Sequence, residues 1–255
     1  MIRISLLLIF LFSISINSQN NAIAAGEKLI YTASYNMSGV FNDLAEVTME
    51  TSTVKTSNAT LLKLKCTATT YSKWDNFFKI RDLYESYVSP KSLTPYLYNR
   101  DINEGSYYKN MKYTFSHKTK TVKSVQKKKK NQVENKTVNI NSGTKDIVST
   151  IYYIRLYDFA NMAVGTSKTL PIIFDREVVN GKITYLGKET ISTAIGKKEC
   201  YKLAVGSSES NVLQGKNNNF LWLTADENKI PVYGKFKIPV GNGELKIKSA
   251  TGLKN

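Results

Sequence analysis

Hydrophobic residues recur at every second position along most of this chain, and that period confines it to sheet. Leu29, Tyr31, Ala33, Tyr35 and Met37 alternate with Lys28, Ile30, Thr32, Ser34 and Asn36. Leu62, Leu64, Cys66 and Ala68 alternate with Lys63, Lys65 and Thr67, while Tyr107, Met111, Tyr113 and Phe115 share one parity against Lys112 and Thr114. Successive side chains of a strand leave on opposite faces, so this pattern describes sheets with one buried face. Turn-forming clusters separate the runs: Ser89-Pro90-Lys91-Ser92, Asn141-Ser142-Gly143, Gly196-Lys197-Lys198, Asp226-Glu227-Asn228 and Gly241-Asn242-Gly243. The fold expected is mostly β: a strongly curved antiparallel sheet, or an open barrel or sandwich, with one central amphipathic helix packed on it.

That helix is expected over Asp146–Met162. Ile147, Ile151, Ile154 and Phe159 make an apolar stripe at helical spacing, broadened by Val148, Tyr152 and Leu156. Thr144 or Ser142 is placed to cap it, Asp146 suits its first turn, and Gly165 offers a stop. A shorter helical turn is expected at Trp74, Phe77 and Phe78.

The chain opens Met1-Ile2-Arg3 and then runs apolar from Ile4 to Ile16. One positive charge before such a run is the pattern of a secretory signal, and the run is short of the roughly 20 residues a spanning helix needs. Residues 1–24 are read as the signal and 25–255 as a single β-rich domain, with cleavage after Ala24 or near Ser18-Gln19. No cysteine lies near the leader to take a lipid anchor, so a soluble, periplasmic, monomeric protein is expected.

The net charge is +16, almost all of it lysine, for the arginines are only Arg3, Arg81, Arg100, Arg155 and Arg176. Base and phosphate readers exploit bidentate arginine, so the composition and the leader together argue against nucleic acid. Ten lysines and one acid, Glu134, fall between Lys109 and Lys136. Lys127, Lys128, Lys129 and Lys130 are consecutive, which suits a protruding hairpin tip facing solvent or an anionic envelope surface.

Catalytic and metal signatures are absent. His117 is the sole histidine and Cys66 and Cys200 are the two cysteines, so zinc and other cofactors are not expected. The cysteines could pair in an oxidising compartment or stay free. Carboxylate pairs such as Asp82 with Glu85, or Asp226 with Glu227, occur at ordinary spacing. More specific are arginines set among tyrosines: Arg81 before Tyr84 and Tyr87, Arg100 after Tyr98, and Arg155 after Tyr152 and Tyr153. Guanidinium groups stack on rings and bind carboxylates bidentately. They fit either structural ion pairs, with Glu85 or Glu104 as partners, or a ligand site. Arg81, Arg100, Arg155 and Trp222 are the candidate ligand-binding residues.

Several segments carry a family resemblance: Gly26 to Tyr31, Phe78 to Tyr87, Leu93-Thr94-Pro95 with Tyr98-Asn99-Arg100 and Glu104-Gly105, Asp146 to Ser149 with Tyr152 to Arg155, Gly196 to Leu203, and Leu221 to Asp226 through Pro231. In this order they resemble the exported bacterial family known as domain of unknown function 3108. The resemblance implies an envelope protein and transfers no catalytic residue; the lysine-rich hairpin matches nothing in it. By fold analogy alone, curved sheets covered by a helix are similar to periplasmic lipid and lipoprotein carriers. The expected function is non-catalytic binding of a lipid, lipoprotein tail or glycan on the concave face. The alternatives are an assembly factor that holds a protein partner by a sheet edge or the lysine hairpin, and a glycan hydrolase, which would need two carboxylates roughly 5–9.5 Å apart.

Overall fold

The computed structural model describes residues 19–37, 40–128, 132–207, 219–238 and 241–255. Among the described residues fourteen strands form one antiparallel sheet. In the front half these are β1 (Lys28–Met37), β2 (Val40–Lys55), β3 (Thr60–Thr70), β4 (Arg81–Val88), β5 (Pro95–Glu104), β6 (Tyr107–Ser116), β7 (Thr121–Lys128) and β8 (Val133–Asn139). Helix α1 (Ile147–Ile154) follows, and then β9 (Ser167–Phe174), β10 (Glu177–Thr193), β11 (Gly196–Ser207), β12 (Phe220–Thr224), β13 (Pro231–Ile238) and β14 (Gly241–Thr251). The spatial order is β8-β7-β6-β5-β4-β3-β2-β1-β14-β13-β12-β11-β10-β9. Every neighbour is a sequence neighbour except at β1–β14, where the first and last strands join the two halves.

The alternation read from sequence now separates two faces. One cross-strand row runs Leu29–Met49–Cys66–Tyr84–Arg100–Met111–Gln126–Glu134 over β1 to β8. It lies on the concave face, where Tyr31, Met49, Leu64, Tyr98 and Tyr113 form one core with Val148 and Tyr152 of α1. Ile154 and Phe159 pack a second core against Tyr185, Tyr201, Leu203, Leu221 and Leu223 of β10 to β12.

The sheet rolls into a scroll. Among the described residues no ladder joins β8 to β9; the two-residue β9–β10 turn instead tucks against the front half. Asp175 of that turn pairs with Arg100 at 3.0 Å and Lys109 at 2.8 Å. Arg176 donates its backbone N–H to the Tyr113 hydroxyl (2.8 Å) and pairs with Glu134 at 2.6 Å. The β9 edge is covered by Lys145, which bridges Ile172 in parallel.

Helix α1 is shorter than its periodicity predicts. Asp146, not Thr144 or Ser142, caps it, its carboxylate accepting from the Ser149 N–H at 2.8 Å. Thr144 bonds the Asn141 carbonyl instead. The last turn tightens to i→i+3 bonds at Arg155, Leu156 and Tyr157. Asp158 then accepts from the backbone and side chain of Asn161, which diverts the chain before Met162. Phe159 keeps helical spacing in sequence but reaches the second core from a turn. Gly165 lies beyond, at φ +89°.

Packed residues begin before the expected boundary at Ala24. Ala22 and Ile23 are 0% and 2% exposed. Asn20 bonds both the N–H and the carbonyl of Ile23, and the Thr51 hydroxyl donates to the Ala24 carbonyl. The folded domain therefore includes residues from Asn20 onward.

Candidate functional site

The four candidate residues divide between the faces. A second row, Lys202–Trp222–Tyr233–Lys246–Thr32–Glu46–Thr69–Arg81, crosses eight strands in register. Trp222 has the opposite parity to Leu221 and Leu223, which pack on Ile154, so this row is the convex face. Arg81 stands at one end of it and Trp222 one strand in from the other, six strands apart. Arg81 is held by Asp75 at 2.6 Å and by Thr70, not by Glu85 or Glu104.

A cleft lies over the middle of this row. Strands β10 and β11 outrun their neighbours, and a bulge at Tyr185/Gly187 bends their free end. Gly187 has φ +110°, a conformation that a side chain would resist. The resulting arm folds across the convex face, and Ile191, Ser192, Thr193 and Ala194 roof a pocket of about 570 Å³. Its other walls include Thr32, Asp43, Tyr233, Lys246 and Lys248. Trp222 backs the cleft: its ring is 4.7 Å from that of Tyr233, and its indole N–H donates to Glu189 of the arm. The Lys202 ammonium sits over both Phe220 and Trp222, at 5.5 and 5.2 Å. Lys246 pairs with Glu244 (2.7 Å) and Lys248 with Glu46 (2.8 Å). The Glu46 hydrogen bond raises the pKa of Lys248 and keeps it charged. Burial, with the hydrogen bond to Glu244, raises that of Tyr233 and keeps it neutral. Two ammonium groups, each paired with a carboxylate, stand with a phenol, Asp43 and an apolar wall in a lining of mixed character, where an anionic group on an apolar body would share Lys246 and Lys248 with Glu244 and Glu46.

Arg100 and Arg155 belong to the interior. Arg155, 0% exposed, ends α1. It grips Glu27 with two bonds of 2.7 Å and donates to the Asn228 and Ala22 carbonyls. These bonds join α1 to the segment before β1 and to the β12–β13 turn. Arg100 faces Asp175 and lies 5.0 Å from the Phe174 ring. Near it the Asp82 and Glu104 carboxyls share a hydrogen bond, and burial raises the pKa of each. Tyr98 Oη, Arg100 Nε, Ser124 Oγ and Tyr152 Oη are buried and lack a hydrogen-bond partner among the described residues.

The carboxylate pairs considered from sequence do not assemble. Glu85 faces away from Asp82 and pairs with Lys63 at 2.6 Å, while Asp226 accepts from Thr224 and the Lys229 N–H within a turn. The two carboxyls that do meet, Asp82 and Glu104, are neighbours only through β4–β5 pairing. Cys66 and Cys200 are free thiols on opposite faces, pushed up by burial to about 12 and about 11, which makes both poor nucleophiles. Lys127 and Lys128 are exposed at the end of β7, and Lys129 and Lys130 lie outside the described residues. No group of metal-ligating side chains occurs among the described residues, and no described helix is long and apolar enough to cross a membrane. The cleft was not legible in sequence: its walls come from β1, β2, β10, β13 and β14, brought together only by the arm.

Known structures are similar in fold. A β-barrel-like protein of domain of unknown function DUF1849 from Brucella abortus aligns with a TM-score of 0.58 at 9% identity, over 88% of this chain and 96% of that one. A protein of Bacteroides fragilis described as exported and YmcC-like in fold has a TM-score of 0.37 at 7% identity, covering 89% of this chain and 96% of its own. One from Parabacteroides distasonis described as a lipoprotein has 0.33 at 10%, with 89% and 96% covered. No curated protein matches the chain. A family model does match, over residues 30–248, and this chain belongs to that family, the proteins of unknown function designated DUF3108.

Proposed function

We propose that this is a non-catalytic binding protein of the bacterial envelope that holds an anionic amphiphile, a lipid or an acylated protein segment, in the convex-face cleft. The observation that carries this reading is the 570 Å³ pocket under the β10–β11 arm, with Lys246 and Lys248 on one side and the stacked Tyr233 behind. That volume lies within the roughly 300–1,000 Å³ of ordinary ligand sites. Export is supported by the charged start and apolar run of the leader, and the periplasm is the compartment this implies. The concave face is a less suitable place for an acyl chain, because α1 and its aromatic partners occupy it.

The test is native mass spectrometry and lipid extraction on protein expressed with its leader and purified from the periplasm. A bound lipid mass is expected, lost in Tyr233→Ala and in Lys246→Glu/Lys248→Glu. Absence of any bound mass, or a mass indifferent to these substitutions, refutes the reading. A bound glycan in place of a lipid refutes the ligand class while keeping the cleft.

The assembly-factor reading has one observation of its own. Strand β8 is an edge strand, mostly exposed, with no strand beyond it among the described residues. Such an edge is able to accept a strand from a partner.

A further inference from the structure

The strand directions bring the C-terminal ends of β1, β3, β5, β7, β9, β11 and β13, and the starts of the strands that follow them, to one end of the scroll. Large apolar side chains stand exposed at this end. Phe77 is 86% exposed, Val40 63%, Phe78 52%, Tyr107 51% and Phe41 36%. Lys73 and Lys79 flank the two phenylalanines and Lys127 is the penultimate residue of β7, all exposed. The turns at the other end, Ser57-Asn58, Ser89 to Ser92, His117 to Lys120 and Asp226 to Asn228, are polar; Tyr96 and Val164 are the large apolar side chains exposed there.

We propose that the rim bearing Phe77 and Phe78 is a surface that docks on an anionic lipid bilayer. The rings are presented by built structure. The 3₁₀ turn Ser72–Trp74 is pinned by the Trp74 indole N–H on the Asp43 carbonyl (2.7 Å), and Gly105 donates to the Lys79 carbonyl (2.7 Å) beside the Phe78 ring. Nothing in the core needs Phe77, the most exposed large apolar residue among those described. Asp75, the acid of this loop, is neutralised by Arg81. What remains is aromatic tips interleaved with exposed lysines, the combination that lies at the headgroup level of a bilayer. Lysine reaches past a ring to phosphate while its stem covers apolar surface. A protein interface fits less well, because interface cores are depleted of lysine. A second copy fits less well again, because the chain carries +16 and repels itself.

The surface adjoins the cleft, since Asp43 both holds Trp74 and lines the pocket. It stands independently of the cleft's ligand.

Co-sedimentation of the leader-free protein tests this, using vesicles of phosphatidylcholine with phosphatidylglycerol against vesicles of phosphatidylcholine alone. Binding to the anionic vesicles is expected, weakened by salt, and reduced at least about tenfold by Phe77→Ser/Phe78→Ser and by Lys73→Glu/Lys79→Glu. The single change Phe77→Ser, at a side chain outside the core, is expected to weaken binding with an unchanged melting temperature. Equal binding to both vesicle types, or wild-type binding in these variants, overturns the proposal. So does self-association that Phe77→Ser abolishes, which would make the rim an interface between copies.

Discussion

Arg155 shows how far a single residue is legible. Its place among tyrosines marked it for attention, but whether such a guanidinium meets a ligand or a carboxylate depends on residue 27, far away in the chain. The structure spends its donors on Glu27 and two carbonyls. Arg100 meets Asp175 in place of the expected Glu85 or Glu104, for the same reason: the partner arrives only when the scroll closes. Lys145 was not singled out, because one lysine among so many carries no signal. It is 4% exposed, its ammonium 4.0 Å over the Tyr153 ring and 3.2 Å from the Leu93 carbonyl. Burial lowers its pKa from 10.5 to about 8. Between those values the unfolded chain holds the proton and the folded chain does not, so stability rises with pH there and is lost as pH falls through about 8. Melting curves of wild type and Lys145→Met should therefore diverge in slope, the wild type gaining on the variant from pH 8 to 10.5. Parallel curves across that window would contradict the burial argument.

At the scale of elements, strands were legible and ends were not. Period-two alternation carries over directly because the sheet has one consistently buried face along β1 to β7. The helix was found in the right place and overextended, since Phe159 matches the stripe while the helix ends at Ile154 in a tightened turn and Asp158 bonds Asn161 in the turn that follows. The turn at Trp74 was found, but its aromatic spacing resembles core spacing, and only the structure shows Phe77 and Phe78 turned outward. The N-terminal segment makes a prediction at this scale. Cleavage near Ser18-Gln19 keeps Ala22 and Ile23 in the core and the Ala22 carbonyl on Arg155. If the leader is cleaved on expression of the full chain, the intact mass should show a start at or before Asn20. A version beginning at Ala25 should be less stable by about 2–5 kcal/mol in denaturant titration, the ordinary cost of removing a buried aliphatic side chain and its hydrogen bonds. A native start at Ala25 with undiminished stability would rule this out.

For the whole molecule, closure rests on two residues. The Asp175-Arg176 turn holds both at positive φ, 45° and 70°, where glycine or asparagine is usual in a two-residue hairpin. Its ion pairs with Arg100, Lys109 and Glu134 offset that strain and fasten the last hairpin to the front half. Asp175→Ala leaves the buried Arg100 and Lys109 without this partner. Since Asp175 is itself 45% exposed, the loss should be modest, about 1–3 kcal/mol. Hydrogen exchange should quicken in β9 and at the start of β10 with the rest of the sheet protected. Uniform exchange across all strands would show instead that the scroll has no separable seam.

By itself the sequence determined that this chain is an antiparallel sheet with one helix at its middle, because side-chain alternation and turn chemistry act between near neighbours. Family membership was legible too, in the order of short segments. The roll of the sheet, the arm over the convex face and the pairing of β1 with β14 were decided by tertiary structure, since each joins residues far apart in the chain. For that reason Trp222 and Arg81, two of four residues chosen as one site, lie six strands apart along a row, while the cleft between them is walled by residues that no local pattern had brought together.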